Sequence, residues 1–394
     1  MIVVITLLVV AGACLIIPAA VLVAEIASAL LAGHSAEVQG SDCPTNIRIA
    51  VMVPAHNEGS GLLPTLNDIK HQLRTNDRVL VIADNCTDDT ASVAASAGAE
   101  VAIRSDALKI GKGYALDWGM KYLSSAPPDV VIIIDADCRV QPNAIDRLAY
   151  VCQKLNRPAQ ALYLMTSLPE SAINHQVAEF AWRLKNLVRP LGLRALGLPC
   201  QLMGTGMAFP WSVIQLADLA NGSIVEDLKL GLELASAGYP PKFEPLAVVT
   251  STFPATAQGS ESQRHRWEQG HIQLIKNQLP KLMWQACRNA NLGLLALLVD
   301  LSVPPISLFG LVSVALVILS TPLMSISFAP LAINAVCFGM IFLATLVTWA
   351  AYGRDILPPK AFILIIRYGF AKIRLYKAVI FGRRISRWIR ADRS

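Results

Sequence analysis

Residues 130–137 read Val-Val-Ile-Ile-Ile-Asp-Ala-Asp, and this stretch decides the fold. Five consecutive β-branched residues, Val130–Ile134, favour a central strand. Its polar end begins at once with Asp135-Ala136-Asp137. In an extended chain, carboxylates at i and i+2 point to the same side, where they can share a hard cation and a diphosphate. Working outward, the same unit repeats. Ile47–Val53 is a short apolar run ending at Pro54 and reads as a buried parallel strand, followed by a helix over about Leu62–Leu73. Arg78–Ala83 is a second strand, Thr90–Ser96 a helix, Glu100–Arg104 a third strand, and Ile110–Leu123 a loop entering a helix. This alternation predicts an α/β sheet with its ligand at the carboxyl ends of the strands.

Each of these strand ends is polar. Pro54-Ala55-His56-Asn57-Glu58-Gly59 follows the first strand and Asp84-Asn85-Cys86-Thr87-Asp88-Asp89-Thr90 the second. Loop and cap chemistry accounts for any one of them. Three acidic clusters at one sheet edge point to a ligand. Lys112, between Gly111 and Gly113 at a helix start, suits a phosphate: glycines permit close approach and the helix end favours an anion. Neither a Walker loop nor a G-x-G-x-x-G fingerprint is present, Gly204-Thr205-Gly206 included. Glu226-Asp227 precedes a helical stretch over Leu228–Ala237, where an acidic pair also serves as a cap. Gln263-Arg264-His265-Arg266-Trp267 sets Trp beside Arg, a pairing that core packing also uses.

The 394 residues are 54% apolar and only 16% charged, with a mean hydropathy of +0.48. A soluble domain carries about 25% charged residues, so part of this chain is lipid-embedded. Met1–Gly33 holds one charge, Glu25, and is long enough for a transmembrane anchor. A signal peptide processed near Ala27-Ser28-Ala29 is the competing reading, without the usual basic start. From Leu292 to Tyr352 the only charge is Asp300, beside the Pro304-Pro305 break and therefore expected near an interface. One membrane helix is expected from Leu292 or Ile306 to Ser320 and another over Leu331–Tyr352. The last 42 residues, 353–394, carry eleven Lys or Arg and two Asp, so the rest of the chain is net negative. That argues against nucleic-acid binding and for a basic amphipathic helix, Ala361–Ile389, on an anionic membrane surface. Basic residues mark the cytoplasmic side. Four regions follow: an anchor at 1–33, a cytoplasmic α/β domain at 42–285, two membrane helices at 292–352, and an interfacial tail at 353–394. The eight scattered cysteines, without a CxxC pair, suit a reducing compartment.

Taken in order, these motifs resemble the family 2 glycosyltransferases. The likeness covers about residues 48–271. It is strongest to the membrane-bound branch containing cellulose, hyaluronan, chitin and poly-N-acetylglucosamine synthases and ceramide glucosyltransferase. The resemblance implies a GT-A fold and a nucleotide-sugar donor. Pro54, Ala55, Asn57 and Glu58 would line the nucleoside pocket, with Glu58 on the ribose and Asp84 on the base, which points to uracil and a UDP-sugar. Lys112 would approach the diphosphate. Asp135 and Asp137 would hold the nucleotide with Mg2+ or Mn2+, Asp137 being the stronger metal ligand. Gly204, Thr205 and Gly206 would border the acceptor. Asp227 would be the general base, with Glu226 beside it. Gln263, Arg266 and Trp267 would close over the diphosphate and stack on the acceptor sugar.

The implied chemistry is an inverting displacement at the cytoplasmic face, in exopolysaccharide or glycolipid assembly. Its acceptor is a lipid-linked or growing saccharide, and other polysaccharide-assembly proteins are candidate partners. The absence of an obvious secretory segment points to a bacterial inner (plasma) membrane, an internal eukaryotic membrane being the alternative. Three crossings are few for a synthase that exports its own polymer. Gln176–Pro210, with Trp182, Arg183, Lys185, Arg189 and Arg194, reads either as a membrane-contacting face near the acceptor or as a packed amphipathic helix. Processive polymer synthesis is the rival activity, supported by the Gln263–Trp267 motif. A non-catalytic membrane scaffold is the rival class, opposed by intact Asp135, Asp137, Asp227 and Trp267; a transporter is disfavoured by the few crossings.

Overall fold

The computed structural model describes residues 1–33, 46–167, 173–223, 225–254 and 257–359. The helices in chain order are α1 (Ile2–Ala32), α2 (Leu63–Lys70), α3 (Thr90–Ser96), α4 (Lys112–Leu123), α5 (Ala144–Leu155), α6 (Ile173–Arg183), α7 (Arg189–Ala195), α8 (Trp211–Ile214), α9 (Glu226–Ser236), α10 (Ala257–Arg288), α11 (Leu292–Leu301), α12 (Ile306–Ser320) and α13 (Ala329–Tyr352). The strands are β1 (Ile49–Ala55), β2 (Arg78–Asp84), β3 (Glu100–Arg104), β4 (Val130–Ile133), β5 (Arg139–Val140), β6 (Ala159–Thr166), β7 (Met207–Pro210) and β8 (Lys242–Thr252). Two units pack separately. The described residues of the helical unit are 1–33, 173–197 and 296–359, and the sheet unit holds the rest.

The sheet has eight strands in the order β3-β2-β1-β4-β7-β6-β8-β5. β3, β2, β1 and β4 run parallel, with Val51 opposite Val79 on one side and Ile132 on the other. Direction reverses at β4/β7, and β5 runs antiparallel to β8 at the edge. The continuous apolar runs are explained by burial: Ile49–Val53 and Val130–Ile134 are fully inaccessible. Met52, Leu80, Ile82, Leu116, Met120 and Phe209 meet in one core cluster. An α/β sheet of the GT-A type is therefore in place, with the loops after β1, β2 and β4 at one end.

Two local expectations are corrected. β1 begins at Ile49 rather than Ile47 and takes in Pro54 and Ala55. More consequentially, β4 stops at Ile133, so Asp135 and Asp137 do not sit on a strand. The Cys138 N–H bonds the Asp135 carbonyl at 3.1 Å, closing a turn over residues 135–138. Strand alternation thus does not set the direction of the two carboxylates; a turn does.

Among the described residues of the helical unit, three segments are long and apolar enough to cross a membrane: Ile2–Ala32, Ile306–Leu323 and Ala329–Tyr352. The Pro304-Pro305 break ends α11 before α12 begins, so the span starts at Ile306 and not at Leu292. Residues 173–195 are helical, with a π-helical turn at Leu184–Val188. Packing is the reading the structure favours for this segment. Arg189 is buried between Glu25, at 2.6 Å, and Asp300, at 2.5 Å. Arg183 pairs with Asp355 at 2.7 Å. Asp300 is itself buried and ion-paired. The tail helix expected over Ala361–Ile389 lies outside the described residues.

Candidate active site

The β1 and β2 ends interlock. Asn57 and Asn85 both take positive φ, at 55° and 50°, a backbone region that asparagine enters more readily than most residues. The Asn57 side-chain oxygen accepts the Thr87 N–H at 2.7 Å, and the Thr90 hydroxyl accepts the N–H groups of Glu58 and Gly59 at 2.8 and 2.9 Å. His56 Nδ1 lies 2.7 Å from the Asp84 carbonyl. Asp84, buried at the end of β2, is met by Arg104 Nη1 at 2.5 Å and by the Asn85 amide at 3.1 Å. Arg104 also donates to the Lys109 carbonyl at 2.7 Å and lies over the Tyr114 ring. The strand pattern marked Arg104 only as the end of β3, so its pairing with Asp84 was not legible.

Lys112 is the hub of the second cluster. Its ammonium pairs with the Asp135 carboxylate, donates to the Gly204 carbonyl at 2.7 Å, and lies 3.9 Å from Glu226. Burial opposes that charge, but Asp135, Glu226 and Asp227 outweigh it and hold the lysine above its ordinary range. Glu226 is raised to about 7. Burial is the main cause, Asp227 and Asp135 add to it, and Lys112 opposes it. Glycine at 113 is required by space: a Cβ there would stand 2.5 Å from the Leu219 carbonyl oxygen and 2.6 Å from that of Asn221. At Gly204 and Gly206 the backbone is left-handed, with φ of 91° and 66°, and a Cβ on Gly204 would approach Asp227 Oδ2 to 3.5 Å. Thr205 between them is fully buried, its hydroxyl oxygen accepting the Asp135 N–H at 3.0 Å. It therefore stands behind the acidic turn. Gln160 of β6, also buried, donates to the Thr205 carbonyl at 2.9 Å and accepts the Met203 N–H at 2.8 Å. Nothing in its sequence context singled it out.

Glu226 and Asp227 lie in the first turn of α9, where carboxylates also favour the helix dipole. The helix thus starts two residues earlier than the reading that put the pair ahead of it. Val225, immediately before them, packs against α10: a Cβ on Gly270 would lie 2.7 Å from Val225 Cγ1. Gln263, Arg266 and Gly270 recur at helical spacing. Arg266 is lowered by burial and held up by the Glu226 charge, so the two are in electrostatic reach. Gln263 is buried, while Arg266 and Trp267 are half-buried.

Among the described residues, no group of three or more His, Cys, Asp or Glu side chains is arranged to hold a metal ion by itself. Asp135 and Asp137 still offer two hard oxygen donors on one turn, with Glu226 and Asp227 adding negative charge around a single lysine. That donor set fits Mg2+ or Mn2+ when a ligand's own oxygens complete the coordination.

Residues 45–270 match the family described as glycosyltransferase like family 2. Of curated proteins, the chain is 25% identical over 251 residues to the "Probable glycosyltransferase YdaM" of Bacillus subtilis (strain 168), covering 58% of this chain and 56% of that one. It is 35% identical over 92 residues to the "Protein RfbJ" of Shigella flexneri, covering 23% of this chain and 66% of the other. The chain thus spans less than two thirds of the length of each. Among solved structures, the mannosyltransferase PcManGT from Pyrobaculum calidifontis, in complex with GDP-Man and Mn2+, aligns at a TM-score of 0.48 and 17% identity, over 94% of this chain and 95% of that one. Glucosyl-3-phosphoglycerate synthase from Mycobacterium tuberculosis, with Mn2+, UDP and glucosyl-3-phosphoglycerate, aligns at 0.38 and 20% identity, over 57% and 78%. The family match covers more than half of the chain and contains the loops after β1, β2 and β4, the Lys112 cluster and Arg266; the chain belongs to the family 2-like glycosyltransferases.

Proposed function

We propose that this chain is a membrane-anchored, inverting glycosyltransferase that moves a sugar from a UDP-sugar to a lipid-linked or growing saccharide acceptor. The observation that carries this reading is the Lys112 cluster: one half-buried cation shared by Asp135, Glu226 and the Gly204 carbonyl, beside Asp227. Such a cluster at the end of a central parallel strand suits a diphosphate. The anchor, the membrane helices and the basic residues of 353–394 favour the cytoplasmic face of a bacterial inner membrane, in exopolysaccharide or glycolipid assembly.

The 42–285 domain carries the chemistry. Pro54, Ala55, Asn57 and Glu58 form the wall of the nucleoside site. Asp84, fixed by Arg104, faces the base. Asp135 and Asp137 hold the cation and diphosphate. Bound there, Mg2+ or Mn2+ supplies positive charge to the departing UDP. Lys112 and Arg266 stabilise the same developing charge. Asp227 removes the proton from the acceptor hydroxyl, which attacks the anomeric carbon opposite the leaving group. Glu226, holding its proton near neutrality, limits like-charge repulsion on Asp227. Gln263 and Trp267 meet the acceptor sugar, alongside the Gly204–Gly206 backbone.

Donor hydrolysis by detergent-purified protein with Mn2+, across a panel of UDP-sugars, tests this. One donor is expected to release UDP, and Asp227→Asn to lower turnover about 100- to 10,000-fold while leaving donor binding intact. Unchanged turnover would remove Asp227 from the role of base. With acceptor present, a single added sugar supports this reading and a product ladder supports a processive synthase.

A further inference from the structure

The acidic turn after β4 is held from behind by one helix. Thr65 of α2, 1% exposed, places its hydroxyl 2.7 Å from the Ala136 carbonyl and 2.6 Å from the Cys138 carbonyl. A hydroxyl has one proton, so it is shared between the two carbonyls that flank Asp137. One turn on, Asp68 accepts from Arg139 Nε at 2.7 Å and from the Val140 N–H at 3.1 Å. Just past the end of α2, Gln72 Oε1 accepts the Ile145 N–H at 3.3 Å. Residues 65 and 68 share one face of α2, and with Gln72 in the turn after it they splint the backbone from Ala136 to Ile145. On the other side, Thr205 accepts the Asp135 N–H. The backbone of the turn is therefore held by two different hydroxyls, Thr205 at the Asp135 N–H and Thr65 at the carbonyls of the residues on either side of Asp137.

We infer that Thr65 is a positioning residue for Asp137, and that it sets the affinity of the site for the divalent cation bound with a nucleoside diphosphate. The inference rests on the proposed donor site. Its physical basis is that the direction of Asp137 comes from the turn and not from strand geometry. With β4 ended at Ile133, no ladder hydrogen bond fixes residue 137. Thr65 holds the carbonyl of the peptide unit before it, at Ala136, and the carbonyl of Cys138 after it, while the Cys138 N–H is held by the Asp135 carbonyl. Without that hydroxyl, two buried carbonyls lose their donor and the turn is free to rotate. Groups that orient a metal ligand alter metal affinity by about tenfold or more when removed. A general packing role for Thr65 would instead act on the nucleotide and the metal alike.

The test uses full-length protein in detergent, with free Mn2+ followed by electron paramagnetic resonance in the presence of UDP, and UDP binding without metal followed by calorimetry. Thr65→Val, which keeps the shape and removes the hydroxyl, is expected to weaken Mn2+ uptake about tenfold and to leave metal-free UDP binding unchanged. Thr65→Ser is expected to restore uptake to near the wild-type value. Where valine prevents folding, Thr65→Cys supplies a weaker donor, and uptake is expected to rank Thr and Ser above Cys. Equal uptake by wild type and the folded variants overturns the inference, as does an equal loss of metal-free UDP binding. No uptake by the wild type with UDP overturns the proposed donor site itself.

Discussion

Two clusters of one cation among carboxylates, one in each unit, differ in what they leave open. In the helical unit Arg189 lies between Glu25 and Asp300, with side-chain exposures of 10%, 2% and 8%. In the sheet unit Lys112 lies between Asp135 and Glu226, with exposures of 16%, 33% and 19%. The first is closed. A planar guanidinium offers fixed directions to two acids at once and keeps its charge in apolar surroundings. The second ends in an ammonium, a compact charge without that directional fork, and its Asp135 partner is open to solvent. One arrangement fastens helices α1, α7 and α11; the other retains a face for a ligand. The lesson is that burial and cation type, more than the count of charges, separate a structural cluster from a binding one.

Breaking the closed cluster should have the largest effect. Arg189→Ala leaves two buried carboxylates without a counter-charge, at a cost of about 3–5 kcal/mol. Thermal unfolding in detergent is expected to show a collapsed Tm or no folded protein. Lys112→Met comes next, and its effect should fall on chemistry. UDP release is expected to drop about 100-fold, with a smaller loss of Tm than Arg189→Ala because water reaches Asp135. Equal losses of Tm in the two variants would erase the distinction.

The pH dependence sharpens it further. Glu226 is raised from 4.5 to about 7 by burial, aided by Asp227 and Asp135. The stability carried by its protonated form is full below about 4.5, falls as pH rises, and is lost beyond about 7. In metal-free protein the Tm should decline from pH 5 to pH 8, and Glu226→Gln should flatten that slope. An unaltered slope in the variant would assign it to another group. The smallest effect is expected at Glu25, whose Oε1 has no hydrogen-bond partner while Oε2 meets Arg189. Glu25→Gln keeps the shape and balances the cluster at one acid and one base, so its Tm should lie close to the wild-type value.

Much of this was written in local pattern. The unbroken apolar runs and their polar ends placed β2, α3 and β3 within a residue, because burial on both faces and caps at the ends are local demands. Glu25 and Asp300 stood out as lone charges in apolar runs. Their partner did not: Arg189 lies 164 residues from Glu25, in a segment with several basic residues. Arg104, Gln160 and Thr65 were missed for the same reason. Each is an ordinary residue in an ordinary strand or helix, and its meaning comes from a partner 20, 45 or 71 residues away. The acidic turn is the instructive case. Its residues were legible, its strand geometry was not, because only the Asp135–Cys138 bond and the flanking hydroxyls show where the strand ends.

The account turns on whether the open cluster takes a nucleoside diphosphate together with a divalent cation. Calorimetric titration of UDP into full-length protein, with and without Mn2+, measures this directly, with Asp137→Ala as the partner experiment. The account predicts that Mn2+ tightens UDP binding about tenfold or more and that the gain vanishes in Asp137→Ala. UDP binding that is indifferent to Mn2+, or a gain that survives in Asp137→Ala, would contradict it.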